Sequence, residues 1–209
     1  TRPERKSPNS KRVIIFSPHP DDDVVSMGGT FDRLVSQGHE VHIAYQVKGN
    51  IAVSDHDALK FIEVSKDMFK NDSKVPVSEL IKELKNNKPD KIDSQSVRNL
   101  KGFIRKREAI AATRYIGIPD SNTHFMNLPF YDTGRIKKNP PTKKDVLITA
   151  SLIKKIKPHQ IFAAGDLEDP HGTHKVCLDV ILDALDTLKG EKFIKDCWLW
   201  LYRGAWLDW

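Results

Sequence analysis

The sequence predicts an α/β protein, a Rossmann-like three-layer sandwich around a mostly parallel sheet. Three observations carry this reading. Short apolar runs rich in β-branched residues alternate with segments of helical period. The residues able to do chemistry cluster directly after two of those runs, where open α/β sheets bind ligands, just beyond the carboxyl ends of the strands. The length, 209 residues, suits one ordinary domain with a single core.

The elements follow in order. Val13 to Ser17 is a β-branched run and reads as the first strand. A helix is expected from about Val24 to Ser36, with Phe31, Leu34 and Val35 on its core face and Gly38 as its stop. Val41 to Gln46 alternates like a strand, and Gly49-Asn50 marks the turn after it. Asp55 to Phe69 and Val77 to Leu84 have helical period. Ser94 to Ile116 reads as a long helix ended by Gly117 and Pro119. Thr123 to Leu128 suits a short strand. Pro140-Pro141 stops regular structure, and Thr142 caps a helix running to about Ile156. Gln160 to Ala164 reads as a buried strand, about Gly172 to Leu188 as an amphipathic helix, and Lys192 to Tyr202 as a closing aromatic strand.

Composition excludes several classes. No apolar run reaches membrane-spanning length. The polar, basic start has no apolar stretch after it, so no leader is expected. Residues 1–12 read as a linker and 13–209 as a domain excised from a longer chain. The formal net charge is +6, but the lysines are scattered and do not interleave with aromatics, so no nucleic acid partner is expected. A basic surface suits an anionic sugar better. Cys177 and Cys197 are too few for a disulfide framework, which points to free thiols and a cytoplasmic protein. Trp198, Trp200, Trp206 and Trp209 suit an aromatic core or a domain contact rather than sugar stacking. His39, His42, His56, His124 and His159 have no partner pattern and read as structural or exposed.

The chemistry lies in two turns. VIIFSPHPDDDVVSMGG places His19, Asp21, Asp22 and Asp23 after the first strand. IFAAGDLEDPHGTHKV places Asp166, Glu168, Asp169, His171 and His174 after a later one. Imidazole and carboxylate together suit zinc, and a catalytic zinc wants three protein ligands and one open position. His19, Asp22 and His174 would make that set. Capping the next helix is the plain alternative for Asp22, but capping alone does not require three acids. Asp21 is the spare carboxylate and the expected general base. Asp23 is open between a surface position and one supporting the ligands. A nucleotide-binding domain is disfavoured, because PHPDDD stands where a glycine fingerprint belongs and three acids would repel a pyrophosphate.

These motifs resemble the PIG-L/LmbE-like family of zinc-dependent de-N-acetylases, which act on N-acetylglucosamine conjugates. The family's His-Pro-Asp-Asp-Glu matches His19-Pro20-Asp21-Asp22-Asp23, and its His-x-x-His matches His171-Gly172-Thr173-His174. Gly28-Gly29 and an Arg-x-x-Glu helix from Arg105 to Glu108 fall in the same order. The resemblance implies zinc on His19, Asp22 and His174, with Asp21 as base. It gives His171 the oxyanion or the departing amine, and Arg105 a sugar hydroxyl or phosphate. It implies an amino-sugar substrate. Two positions depart: Asp23 stands for Glu, and Thr173 stands where the family often has an Asp that orients the first histidine. Asp166 or Asp169 could substitute. Some relatives carry this domain behind a glucosamine-6-phosphate deaminase-like domain. The alternative function is therefore a non-catalytic sugar-binding or regulatory module in such a fusion.

Overall fold

The computed structural model describes residues 10–68, 77–87, 91–135, 137–165 and 170–204. The strands are β1 (Arg12–Ser17), β2 (Glu40–Tyr45), β3 (Thr123–Phe125), β4 (Gln160–Ala164) and β5 (Trp198–Tyr202). The helices are α1 (Asp22–Ser36), α2 (Asp55–Met68), α3 (Val77–Lys85), α4 (Gln95–Tyr115), α5 (Lys143–Ile156) and α6 (Thr173–Thr187). The five strands form one sheet in the order β3-β2-β1-β4-β5, and every pair is parallel.

Alternation along β1 builds the layers, because successive side chains leave opposite faces of a strand. Val13 and Ile15 face one core with Met27, Phe31 and Leu34 of α1 and Ala109 of α4. Ile14 and Phe16 face the other with Ile153 of α5 and Leu178 and Ile181 of α6. A smaller core joins α2, α3 and α4 through Ile62, Leu80, Leu84 and Ile104. Burial of this kind is worth roughly 1.5–3 kcal/mol for each large aliphatic side chain.

The topology positions the site. From β1 the chain winds outward through β2 to β3, then returns to β4 on the other side of β1. The order reverses between β1 and β4, and a crevice opens at that point beyond their carboxyl ends. The two chemistry-bearing turns follow these two strands.

Two segments differ from expectation. Lys192–Asp196 forms a 3-10 turn, and the strand begins only at Trp198. The neighbours Phe193 and Ile194 both pack on the α5/α6 core, which a period of two cannot allow. The strand expected to reach Leu128 stops at Phe125, and Asn127 takes a left-handed backbone with φ 49°. Trp198 and Trp200 are 67% and 49% exposed on the edge strand, so they are not core. Trp206 and Trp209 lie outside the described residues. Cys177 is buried and Cys197 half-buried, and the two form no disulfide. Among the described residues, no helix is long and apolar enough to cross a membrane.

Four of the histidines without a motif have structural work. His39 and His159 each accept a backbone N–H at the start of β1, from Lys11 and Arg12, at 3.1 Å. His42 on β2 meets Glu40 and His124, both at 3.1 Å. Burial, with the charge of His42 and Lys155, pushes His124 down from 6.5 to about 4. The folded chain therefore binds fewer protons here than the unfolded chain between those values. Stability must fall as pH drops through that window. The melting temperature is expected to decline from pH 7 to pH 4.5, and His124→Gln to flatten that decline. An unchanged slope in the variant would show that the pair carries none of it.

Candidate functional site

The site begins at the end of β1. Ser17 Oγ accepts the Asp23 N–H at 3.1 Å, and the hydroxyl also lies against the His19 carbonyl oxygen and the Asp23 carboxylate. Asp23 is fully buried and accepts a second hydrogen bond from Tyr45 Oη at 2.9 Å. Burial pushes its carboxyl up to about 6, against the opposing hydrogen bonds from Tyr45 and Ser17. Asp23 is thus an internal brace that ties the turn to β1 and β2, and the surface alternative does not hold.

That brace holds Asp22 and His19 together. The His19 N–H donates to Asp22 Oδ2 at 2.7 Å. Asp22 therefore does not cap α1, since its oxygen turns back to the backbone of His19, three residues earlier. His174 comes from the first turn of α6, which opens after Gly172 at φ 67°, and it is buried. His19 Nδ1 lies 3.2 Å from Asp22 Oδ2 and 3.2 Å from His174 Nε2, and His174 Nε2 lies 3.3 Å from Asp22 Oδ2. Burial alone would raise Asp22, but hydrogen bonds and charge from both histidines outweigh it and hold the carboxyl well below the usual carboxylate range.

This triangle fits a tetrahedral divalent ion. Bonds of about 2.0–2.1 Å to zinc place neighbouring ligand atoms about 3.3 Å apart, close to all three observed edges. Two imidazoles and one carboxylate are also the donor types zinc takes.

The triangle lines a cavity of about 430 Å³ that also receives Asp21, Arg105 and His171. The six residues singled out in the sequence thus share one cavity. Asp21 is half-exposed at the start of α1, makes no cap hydrogen bond, and pairs with Arg105 of α4 at 2.7 Å. The contact lies off the line of an N–H, so Arg105 Nη2 is buried and still without an aligned hydrogen bond. Gly49 makes this approach possible. A Cβ there would lie 2.9 Å from Pro20 Cδ and 3.5 Å from the Arg105 guanidinium, and its φ of 63° disfavours any side chain. His171 is exposed at the cavity rim, and Thr173 behind it is buried. Asp166 and Asp169 lie outside the described residues.

Tyr131 and Lys138 also line the cavity, and the sequence reading missed both. The Tyr131 ring stands nearly perpendicular to His19, with centroids 6.0 Å apart. Lys138 Nζ lies 3.8 Å from the centroid of the Tyr131 ring. Burial pushes the Lys138 ammonium down to about 8, partly offset by Asp132. The one available signal was the aromatic pair Phe130-Tyr131 in a loop, which neither helical nor strand period can place.

Fold and site together define a doubly wound, all-parallel α/β protein with a candidate metal triad at its topological switch point. The chain belongs to the PIG-L family: the family model described as GlcNAc-PI de-N-acetylase matches residues 14–185. It is 52% identical over 217 aligned residues to a glucosamine-6-phosphate deaminase-like protein of Bacteroides thetaiotaomicron. That alignment takes in all of this chain but 33% of the relative, so the chain spans about a third of the relative's length. Among solved structures it is similar to N,N'-diacetylchitobiose deacetylase from Pyrococcus horikoshii, at 18% identity and a TM-score of 0.54, over 90% of this chain and 54% of that one. It is equally similar to the 4-carboxy-2-hydroxymuconate hydratase of Pseudomonas putida, at 16% identity and a TM-score of 0.54, over 88% of this chain and 59% of that one. The two structures show the fold. A fold shared by a deacetylase and a hydratase does not choose a chemistry, which has to be argued from the site.

Proposed function

We propose that this chain is a zinc-dependent de-N-acetylase acting on an N-acetylglucosamine-type substrate. The observation that carries the proposal is the His19-Asp22-His174 triangle with a separate carboxylate, Asp21, in the same cavity. Membership of the PIG-L family supports the reaction class.

His19, Asp22 and His174 would hold the metal. Zinc, when bound, supplies Lewis-acid chemistry and brings the pKa of water toward neutrality. Asp21 takes the proton of the attacking water, so a modest base is sufficient. Arg105 keeps Asp21 turned into the cavity, and its Nη2, which has no aligned hydrogen bond, can donate to a sugar oxygen. His171 donates to the developing oxyanion or protonates the departing amine. A carbon–oxygen bond forms to water and the amide carbon–nitrogen bond breaks. The products are acetate and a free amino sugar, with the water's proton delivered to the nitrogen.

The relative's name and its greater length support a second reading, a sugar-binding or regulatory module within a deaminase-like fusion. Two cysteines kept out of a disulfide support a cytoplasmic setting for either. Metal analysis of the purified chain, with acetate and amine release measured on a panel of N-acetylglucosamine derivatives, separates the two. The enzyme reading expects about one zinc per chain and stoichiometric release of both products. Sugar binding with no acetate release from any member would favour the module.

A further inference from the structure

Lys138 is a second cation in this cavity that the mechanism leaves unused. Its ammonium lies on the face of Tyr131 and donates to the Arg135 carbonyl oxygen at 2.5 Å. Tyr131 in turn touches the edge of His19. The lysine is therefore anchored one aromatic ring away from the triad, with its stem half-buried.

The neighbouring carboxylates are already engaged. Asp132 pairs with Lys48 at 3.5 Å and lies 3.9 Å from Arg98. Asp21 is paired with Arg105, and Asp22 closes the triad. Among the described residues, no carboxylate reaches Lys138 within ion-pair distance. Burial depresses its ammonium, and the charge of Asp132, which is engaged with Lys48, offsets this only in part. Val25 and Ile51, 64% and 42% exposed, also line the cavity and give it apolar surface.

We propose that Lys138, laid on Tyr131, is the specificity-determining residue of this cavity, and that it selects an N-acetylated amino sugar bearing a phosphate or carboxylate group. The amino-sugar part rests on the de-N-acetylase reading above; the anion part rests on Lys138. A divalent ion held by the triad would balance Asp21 and Asp22, which would leave the charges of Arg105 and Lys138. An anionic substituent neutralises them, with the ammonium as a point donor to its oxygens.

Titration calorimetry on the full chain tests this, using N-acetylglucosamine, N-acetylglucosamine 6-phosphate and N-acetylmuramic acid. At low salt at least one anionic sugar is expected to bind roughly 10- to 100-fold tighter than the neutral one, the range of a charge-assisted hydrogen bond. Which of the two gains identifies the anion. Lys138→Met keeps the stem on Tyr131 and should collapse that ratio; Lys138→Arg should restore most of it. Added salt should shrink the ratio as well. Equal affinities in the parent chain, or a ratio that survives Lys138→Met, overturn the proposal. Acetate release measured on the same samples keeps the two readings apart. A Lys138-dependent charge preference without acetate release sinks the deacetylase and leaves the anion site. Acetate release without a charge preference does the reverse.

Discussion

Replacing His19 or His174 with alanine is expected to strip the metal and abolish turnover while the fold survives. Each histidine supplies one of the three donor atoms set 3.2–3.3 Å apart, and a two-ligand remnant holds zinc poorly. Occupancy should fall from about one ion per chain to less than about a tenth of that. The sheet should not notice, because β1 and β4 are held by the apolar layers on both faces rather than by the turns. Metal that binds only the folded chain raises its melting temperature through linkage. A chelator should therefore lower the melting temperature of the parent chain and leave the variants unmoved. Full zinc retained by the double-alanine variant would remove this triangle from consideration. Loss of the circular dichroism signal in the variants would mean that the turns carry the fold.

Asp21→Asn should give the complementary result: metal retained, turnover lowered by roughly two to four orders of magnitude. Asparagine keeps size and polarity but cannot take a proton from water. Asp21 is outside the triangle, so its loss should spare the metal. The substitution also removes the charge partner of the buried Arg105 guanidinium, but the asparagine Oδ1 can still accept from it, and the half-exposed Asp21 end of the pair admits water. Stability should thus stay close to that of the parent chain. Zinc content and single-turnover acetate release, measured together, check this. Metal lost from Asp21→Asn and kept by Asp22→Asn would reverse the roles of the two carboxylates.

Some of this was legible in the chain. The β-branched run before PHPDDD and the helical period after it are local signals, and β1 and α1 formed where those signals lie. The same holds for β4 and α6 around the second histidine pair. A parallel sheet needs crossover helices, so alternating elements of these lengths implied layers on both faces. His19, Asp22 and His174 were selected from residue type and motif, without any knowledge of distance.

Distance was decided only by the tertiary structure. His19 and His174 are 155 positions apart, and their rings meet only because β1 and β4 are neighbours at the switch point. Strand order is a non-local choice that no window of sequence encodes. The same applies to Arg105, whose helix position gave no sign that its guanidinium would reach Asp21. Asp23 was ambiguous because burial depends on what packs above it, here Ser17 and Tyr45 from two strands. Tyr131 and Lys138 come from a segment without period, and the approach of Tyr131 to His19, with Lys138 on its ring, follows from how that loop is anchored: Phe130 N–H donates to the buried Asp145 of α5 at 3.0 Å. The sequence alone determined which residues could do chemistry and which local elements would carry them. Folding decided which of them share a cavity and how their charges are paired, because those depend on long-range packing.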